Sequence, residues 1–176
     1  TVAEGVDAGP CGSMGILMPL TRTVLWVRIR SMREPYQVIV IPYTKTGKGY
    51  HYAVFRRRDL RFWQAISGGG ENKETPVQAA KREAFEEAKI GKSSRFLQLD
   101  SMTTIPIADV GTYKWKADVF VLPEYSFGVE VSTKDLTIGK EHSRFLWLPY
   151  EQARKRMKYD SNKSALWELH YRLTRR

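Results

Sequence analysis

Arg82, Glu83, Glu86 and Glu87 put one guanidinium and three carboxylates within six residues. Carboxylates three and four positions apart are neighbours on a helix and repel one another. The surrounding chain is basic, with 29 Lys and Arg against 19 Asp and Glu. Convergent carboxylates suit a hard divalent cation such as Mg²⁺ or Mn²⁺, which takes oxygen ligands. Such a cation recruits phosphate, orients water and stabilises developing negative charge. Upstream, Gly68-Gly69-Gly70 lets the backbone approach metal or phosphate closely, because no Cβ intervenes. Taken alone, the acids also fit a solvated helix face held by Arg82 and nearby lysines. The ordered set of glycines, helix cap, arginine and acids favours the metal site.

The helix that must position these acids has a well-specified start. Thr75 fits as N-cap, Pro76 at the first helical position and Gln78 three residues after the cap. At 100° per residue, Val77, Ala80, Ala84 and Ala88 share an arc of roughly 80°. That narrow face of small residues allows close packing on a sheet. Glu83, Glu86 and Glu87 occupy an adjacent arc of about 100°, so all three can point to one spot.

Regular elements flank this unit. Residues 37–43 (QVIVIPY) are continuous and β-branched, as a buried strand requires. A polar turn at 44–48 leads to a returning strand at 50–56. A short strand at 62–67 precedes the Gly-rich turn. Residues 95–107 predict one or two strands, 113–122 another, 123–140 a loop-rich excursion and 144–148 a last strand. Pro149 opens a helix to about 158. Ser161 or Asn162 then caps a C-terminal helix, with Leu166, Leu169 and Leu173 on one face. Strands mixed with few helices, without regular βαβ alternation, predict an α+β fold with helices packed on a mixed sheet.

Composition bounds the class. With 176 residues, 42% hydrophobic, the chain suits one domain with a sizeable core. The net charge of +10 favours anionic partners. Cys11 is the single cysteine, which excludes an internal disulfide and Cys-based zinc sites and fits a reducing compartment. No apolar run approaches the roughly 20 residues that span a bilayer. The expectation is a cytoplasmic protein with no membrane partner. Residues 1–31 are small, Gly-rich and patternless at first, and Met32 reads as a natural start. They are expected to be an extension outside a 32–176 domain.

Gly68, Glu74, Arg82-Glu83-Ala84-Phe85-Glu86-Glu87 and Ile90 resemble the Nudix box in both type and spacing. The resemblance implies an α/β/α sandwich with a mixed sheet and a hydrolase that cleaves a nucleoside diphosphate linkage with Mg²⁺ or Mn²⁺. It implies that Glu83 and Glu87 are metal ligands, Glu86 is an additional or water-bridged one, and the Gly68 carbonyl contributes. Glu74 and Arg82 would form an ion pair. One position departs: Lys89 stands where the family has Gly. Lys there costs roughly 1 kcal/mol in a left-handed conformation, or the helix runs on to Gly91.

Outside the box the pattern is most similar to the bacterial dihydroneopterin triphosphate pyrophosphatases, also called dATP pyrophosphohydrolases. That likeness implies that Glu141 completes the metal site and serves as general base. Glu83 and Glu86 share the catalytic assignment. Arg33, Arg57 and Ser67 would contact the triphosphate or its base, and the segment from Tyr159 to Asn162 would border the pocket. His142 is expected to be structural and Trp63 to belong to the core. The implied partner is a small-molecule polyphosphate, with ADP-ribose, dinucleoside polyphosphates and capped RNA as alternative substrates. A non-catalytic nucleotide- or RNA-binding module is the competing class. It rests on the basic C-terminal run, which carries no recognisable nucleic-acid motif. Oligomeric state leaves no mark in the sequence.

Overall fold

The structure, a computed structural model, describes residues 32–111 and 113–175. The N-terminal segment 1–31, expected as an extension, lies outside the described residues. The elements run β1 (Arg33–Thr46), β2 (Gly49–Arg57), β3 (Trp63–Gln64), β4 (Ile66–Glu71), α1 (Pro76–Ala88), β5 (Phe96–Pro106), β6 (Val121–Glu130), β7 (His142–Pro149), α2 (Tyr150–Arg156) and α3 (Asp160–Thr174).

β1 organises the sheet because it is buried on both faces, which is why it reads as one apolar run. It pairs antiparallel with β2 over its second half and with β4 over its first. Along its other edge it pairs parallel with β6. β5 extends β6, while β3 and β7 extend β2, giving one mixed seven-stranded sheet.

Alternation along β1 divides the core. Val38 and Val40 point to α1, where they meet Phe55, Ile66, Ala80 and Ala84. Ile39, Ile41 and Tyr43 point to the opposite layer, where they meet Ala153 of α2 and Leu166 and Leu169 of α3. Each fully buried Val or Ile contributes about 1.5–3 kcal/mol. The result is an α/β/α sandwich, as expected. Trp63 is buried as expected, with the Arg144 and Arg156 guanidinium groups each 5.2 Å from its ring.

Several expectations are corrected. The three glycines lie inside strand β4, and the turn falls at Asn72 and Lys73, both with positive φ. Residues 113–120 alternate like a strand but pair with nothing in the sheet; the strand is Val121–Glu130. Most of β6 thus falls in the segment expected to be loop. Pro123 is tolerated because β1 pairing starts one residue later, at Glu124. Gly128 is needed because a Cβ there would lie 2.6 Å from Leu169 Cδ1. α3 starts at Asp160 with Tyr159 at the cap position, so Ser161 and Asn162 both fall inside its first turn and neither is its cap. Val77 is 37% exposed, and Ala79 takes its place in the buried face of α1.

Candidate active site

α1 begins as its sequence requires. Thr75 is the N-cap, Pro76 follows, and the Thr75 N–H donates to Gln78 Oε1 at 2.8 Å. It ends at Ala88, with Lys89 in the left-handed region at φ 55°. The helix therefore stops where a glycine is usual, at the cost of a strained lysine.

Arg82 ties helix, turn and strand together. Its Nε donates to Glu74 Oε1 at 3.0 Å and its Nη2 to the Gly69 carbonyl at 2.7 Å. Its Nη1 donates to Glu83 Oε1 at 2.8 Å and to Glu86 Oε2 at 3.2 Å. The expected Glu74–Arg82 pair is thus present. Glu74 also accepts the Glu71 N–H at 3.0 Å, which closes the turn.

The acids divide by burial. Glu83 and Glu87 are buried, whereas the Glu86 side chain is 55% exposed and leans on Arg82. The expected convergence of all three is not seen: among the described residues no three acidic, His or Cys groups converge at ligating distance. Arg82 accounts for this by drawing Glu83 and Glu86 to its own nitrogens.

Glu83 packs against Gly68, where any Cβ would overlap its carboxyl group. Burial pushes the Glu83 carboxyl up to about 7, against the opposing pull of Arg82. Glu87 accepts the Ser67 backbone N–H, but its Oε2 is buried with no hydrogen bond among the described residues. Burial, then the charges of Glu83 and Glu141, push Glu87 up to about 9. His142 Nδ1 lies 3.5 Å from Glu87 Oε2. This contact is not an ion pair, because burial and then Arg57 hold His142 down at about 4 and keep it neutral. His142 also packs on Phe55, with ring centroids 5.1 Å apart, which suits the structural role expected of it.

Arg57, whose charge acts on Glu87, lines a pocket. Its Nη1 donates to Glu141 Oε2 at 2.6 Å and its Nη2 to Asp59 Oδ2 at 2.8 Å. Arg57, Ser67, Tyr159 and Asn162 all line one cavity of about 350 Å³. Arg33 does not line it; its guanidinium lies over Gly69 on β4. Asn162 is also not free to bind a ligand through its oxygen, which accepts the Ala65 N–H at 2.8 Å. Its placement is structural in that respect. A larger cleft of about 590 Å³ lies at the far end of α1, and none of Glu83, Glu86 and Glu87 lines it.

A divalent cation fits this donor set. A buried carboxylate oxygen with no partner among the described residues, and a second buried carboxylate packed on the Cβ-free Gly68, suit a hard ion with oxygen ligands. The sequence reading missed Asp59, which shares Arg57 with Glu141, and Glu124, which is buried in the pocket wall. Only the alternation of 122–129 around one acid could have singled out Glu124.

The NUDIX domain family model matches residues 33–168. A dihydroneopterin triphosphate diphosphatase of Haemophilus influenzae is 27% identical over 141 residues, covering 78% of this chain and 89% of that protein. The protein of the same name from Escherichia coli is 28% identical over 137 residues, covering 76% and 91%. Among solved structures, a Listeria monocytogenes NUDIX hydrolase superposes with a TM-score of 0.73 at 38% identity, over 81% of this chain and 96% of that one. Match, fold and box geometry agree: the chain belongs to the Nudix family, as a hydrolase acting on a phosphoric anhydride.

Proposed function

We propose that the chain is a divalent-metal-dependent pyrophosphohydrolase that cleaves a nucleoside or pterin triphosphate to the monophosphate and pyrophosphate. One observation carries this reading: Ser67, whose backbone N–H bonds buried Glu87, lines a cavity large enough for a heterocycle, together with Arg57, whose charge acts on Glu87. The names of the bacterial relatives, dihydroneopterin triphosphate diphosphatases, support the substrate class.

Glu83 and Glu87 would hold Mg²⁺ or Mn²⁺, with Glu86, Glu141 and the Gly68 carbonyl drawn in around the ion. When bound, the cation neutralises phosphate oxygens and activates water. Glu141 is the general base, because its half-exposed carboxylate faces solvent while its charge reaches Glu87. It takes the proton of the attacking water as the new O–P bond forms. The anhydride P–O bond then breaks and pyrophosphate leaves with the electron pair. Arg57 lines the pocket, where a phosphate would compete with Asp59 and Glu141 for its planar fork. Arg33 adds positive charge on the β4 side. Ser67 and Tyr159 line the heterocycle's side of the cavity.

The test is pyrophosphate release with Mg²⁺ from dihydroneopterin triphosphate, dATP, ADP-ribose and a dinucleoside polyphosphate. Release from one of the first two is expected, and Glu83→Gln lowers it by at least about 10²-fold with the melting temperature retained. Turnover confined to ADP-ribose or the dinucleotide would replace the substrate class. No turnover on any member would defeat the catalytic reading.

A further inference from the structure

Arg58 is exposed, yet its guanidinium bonds main chain 82 and 84 residues further along. Its Nε donates to the Lys140 carbonyl and its Nη2 to the His142 carbonyl, each at 3.0 Å. Its backbone N–H donates to the Glu141 carbonyl at 2.9 Å. One residue thus holds three successive carbonyls, with that of Glu141 in the middle. The planar guanidinium makes this possible, because its donors diverge in a fixed fork.

The loop needs such a hold. Pairing of β2 with β7 matches Arg56 with Arg144 and Arg57 with His142, so Ser143 is an extra residue on β7. A β-bulge of this kind interrupts the ladder and re-aims side chains. Upstream, the Gly139 N–H donates to the Glu87 carbonyl on α1 at 2.7 Å, and an added Cβ there would lie 3.0 Å from the Glu86 carbonyl oxygen. Residues 140 to 142 therefore bridge from helix α1 to strand β2. The Glu141 side chain is 57% exposed, so packing does little to fix it. Arg57 Nη1 bonds its carboxylate at 2.6 Å, but that fork is the one a phosphate would compete for.

We propose that Arg58 is a positioning residue for the Glu141 loop: by fixing the main chain on both sides of Glu141, it sets where that carboxylate meets the attacking water. The kinetic consequence rests on the reading of Glu141 as general base. The bonds from Arg58 go to main chain, so they hold the loop in the presence and absence of substrate alike.

A double-mutant cycle tests this. Arg58→Ala is expected to lower kcat with Mg²⁺ by on the order of 10²-fold, the cost of a misplaced reacting group, with little change in KM. In a Glu141→Gln background the same change is expected to cost less than about twofold, because Arg58 then has no base to position. Arg58→Lys keeps the charge but not the fork, and is expected to behave like Arg58→Ala. Equal losses in both backgrounds, or full activity in Arg58→Lys, overturn the assignment. Hydrogen exchange without metal gives a readout independent of turnover. The residue-58 amide is held by the Glu141 carbonyl, so its protection should fall by at least about tenfold in Arg58→Ala, while the Gly139 amide, held by α1, keeps its own. Unchanged protection at residue 58 overturns the proposal whatever the kinetics. If no triphosphate is hydrolysed but protection falls as expected, the enzyme reading fails and the hold of Arg58 on the loop stands.

Discussion

The carboxyl group of Glu83 rests on the α-carbon of Gly68, in space that the side chain of any other residue would occupy. Helix α1 and strand β4 meet there so closely that box acid and box glycine are one structural unit. Gly68→Ala is therefore expected to displace Glu83 while leaving the sheet intact. A misplacement of about 1 Å costs on the order of 10² in rate. Steady-state turnover with Mg²⁺ and a thermal melt check it together. Full activity in the alanine variant would show that Glu83 need not sit where it does.

The buried acids make stability depend on pH in a definite direction. The folded values of about 7 for Glu83 and about 9 for Glu87 lie above the ordinary 4.5. Below about pH 4.5 both states are protonated and no penalty exists. As pH rises, the unfolded carboxyls ionise while the folded ones resist, so stability falls up to about pH 9. Melting temperatures measured in chelator should therefore drop between pH 5 and pH 9, by rough expectation from those shifts. Glu87→Gln should flatten that slope and raise the melting temperature at pH 8, and added Mg²⁺ should rescue wild type more than the variant. A wild-type slope of the opposite sign would contradict the assigned burial.

Legibility differed between the halves of the site for a physical reason. The box is local: cap, small face and acids lie within one helix and its preceding strand, so spacing alone placed Thr75, Ala84, Glu83 and Glu87. Convergence of the acids was not legible, because Arg82 competes for Glu83 and Glu86 and helical angle cannot register a guanidinium. The pocket is assembled from β1 to β6 and α3, elements far apart in sequence. Glu124 follows a proline and lies four residues before Gly128, which reads as loop until β1 and β5 are seen on either side.

Arg82 is expected to resist even a conservative replacement. It is 15% exposed and bonds a turn carboxylate, a strand carbonyl and two helix acids at once. Lysine keeps the charge but not the planar fork. With two or more of those bonds lost, Arg82→Lys should cost roughly 2–3 kcal/mol. Chemical denaturation measures it. A loss below about 0.5 kcal/mol, the range of ordinary surface changes, would mean that the network is ornamental to stability.

Gly128 and Leu169 give the last test, away from the chemistry. The added Cβ of Gly128→Ala would lie 2.6 Å from Leu169 Cδ1 and 3.0 Å from Cδ2. Overpacking of this kind costs about 1–3 kcal/mol. Leu169→Ala alone empties a fully buried site and costs about 2–5 kcal/mol. The two changes touch the same space, so the double variant should be more stable than the sum of the single losses predicts. A coupling of about 1 kcal/mol or more is expected from denaturation of all four proteins. Strict additivity would mean that α3 shifts off β6 instead of clashing with it. In that case the pocket, whose wall includes Glu124 on β6 and Ser161 on α3, would change shape with a single methyl group.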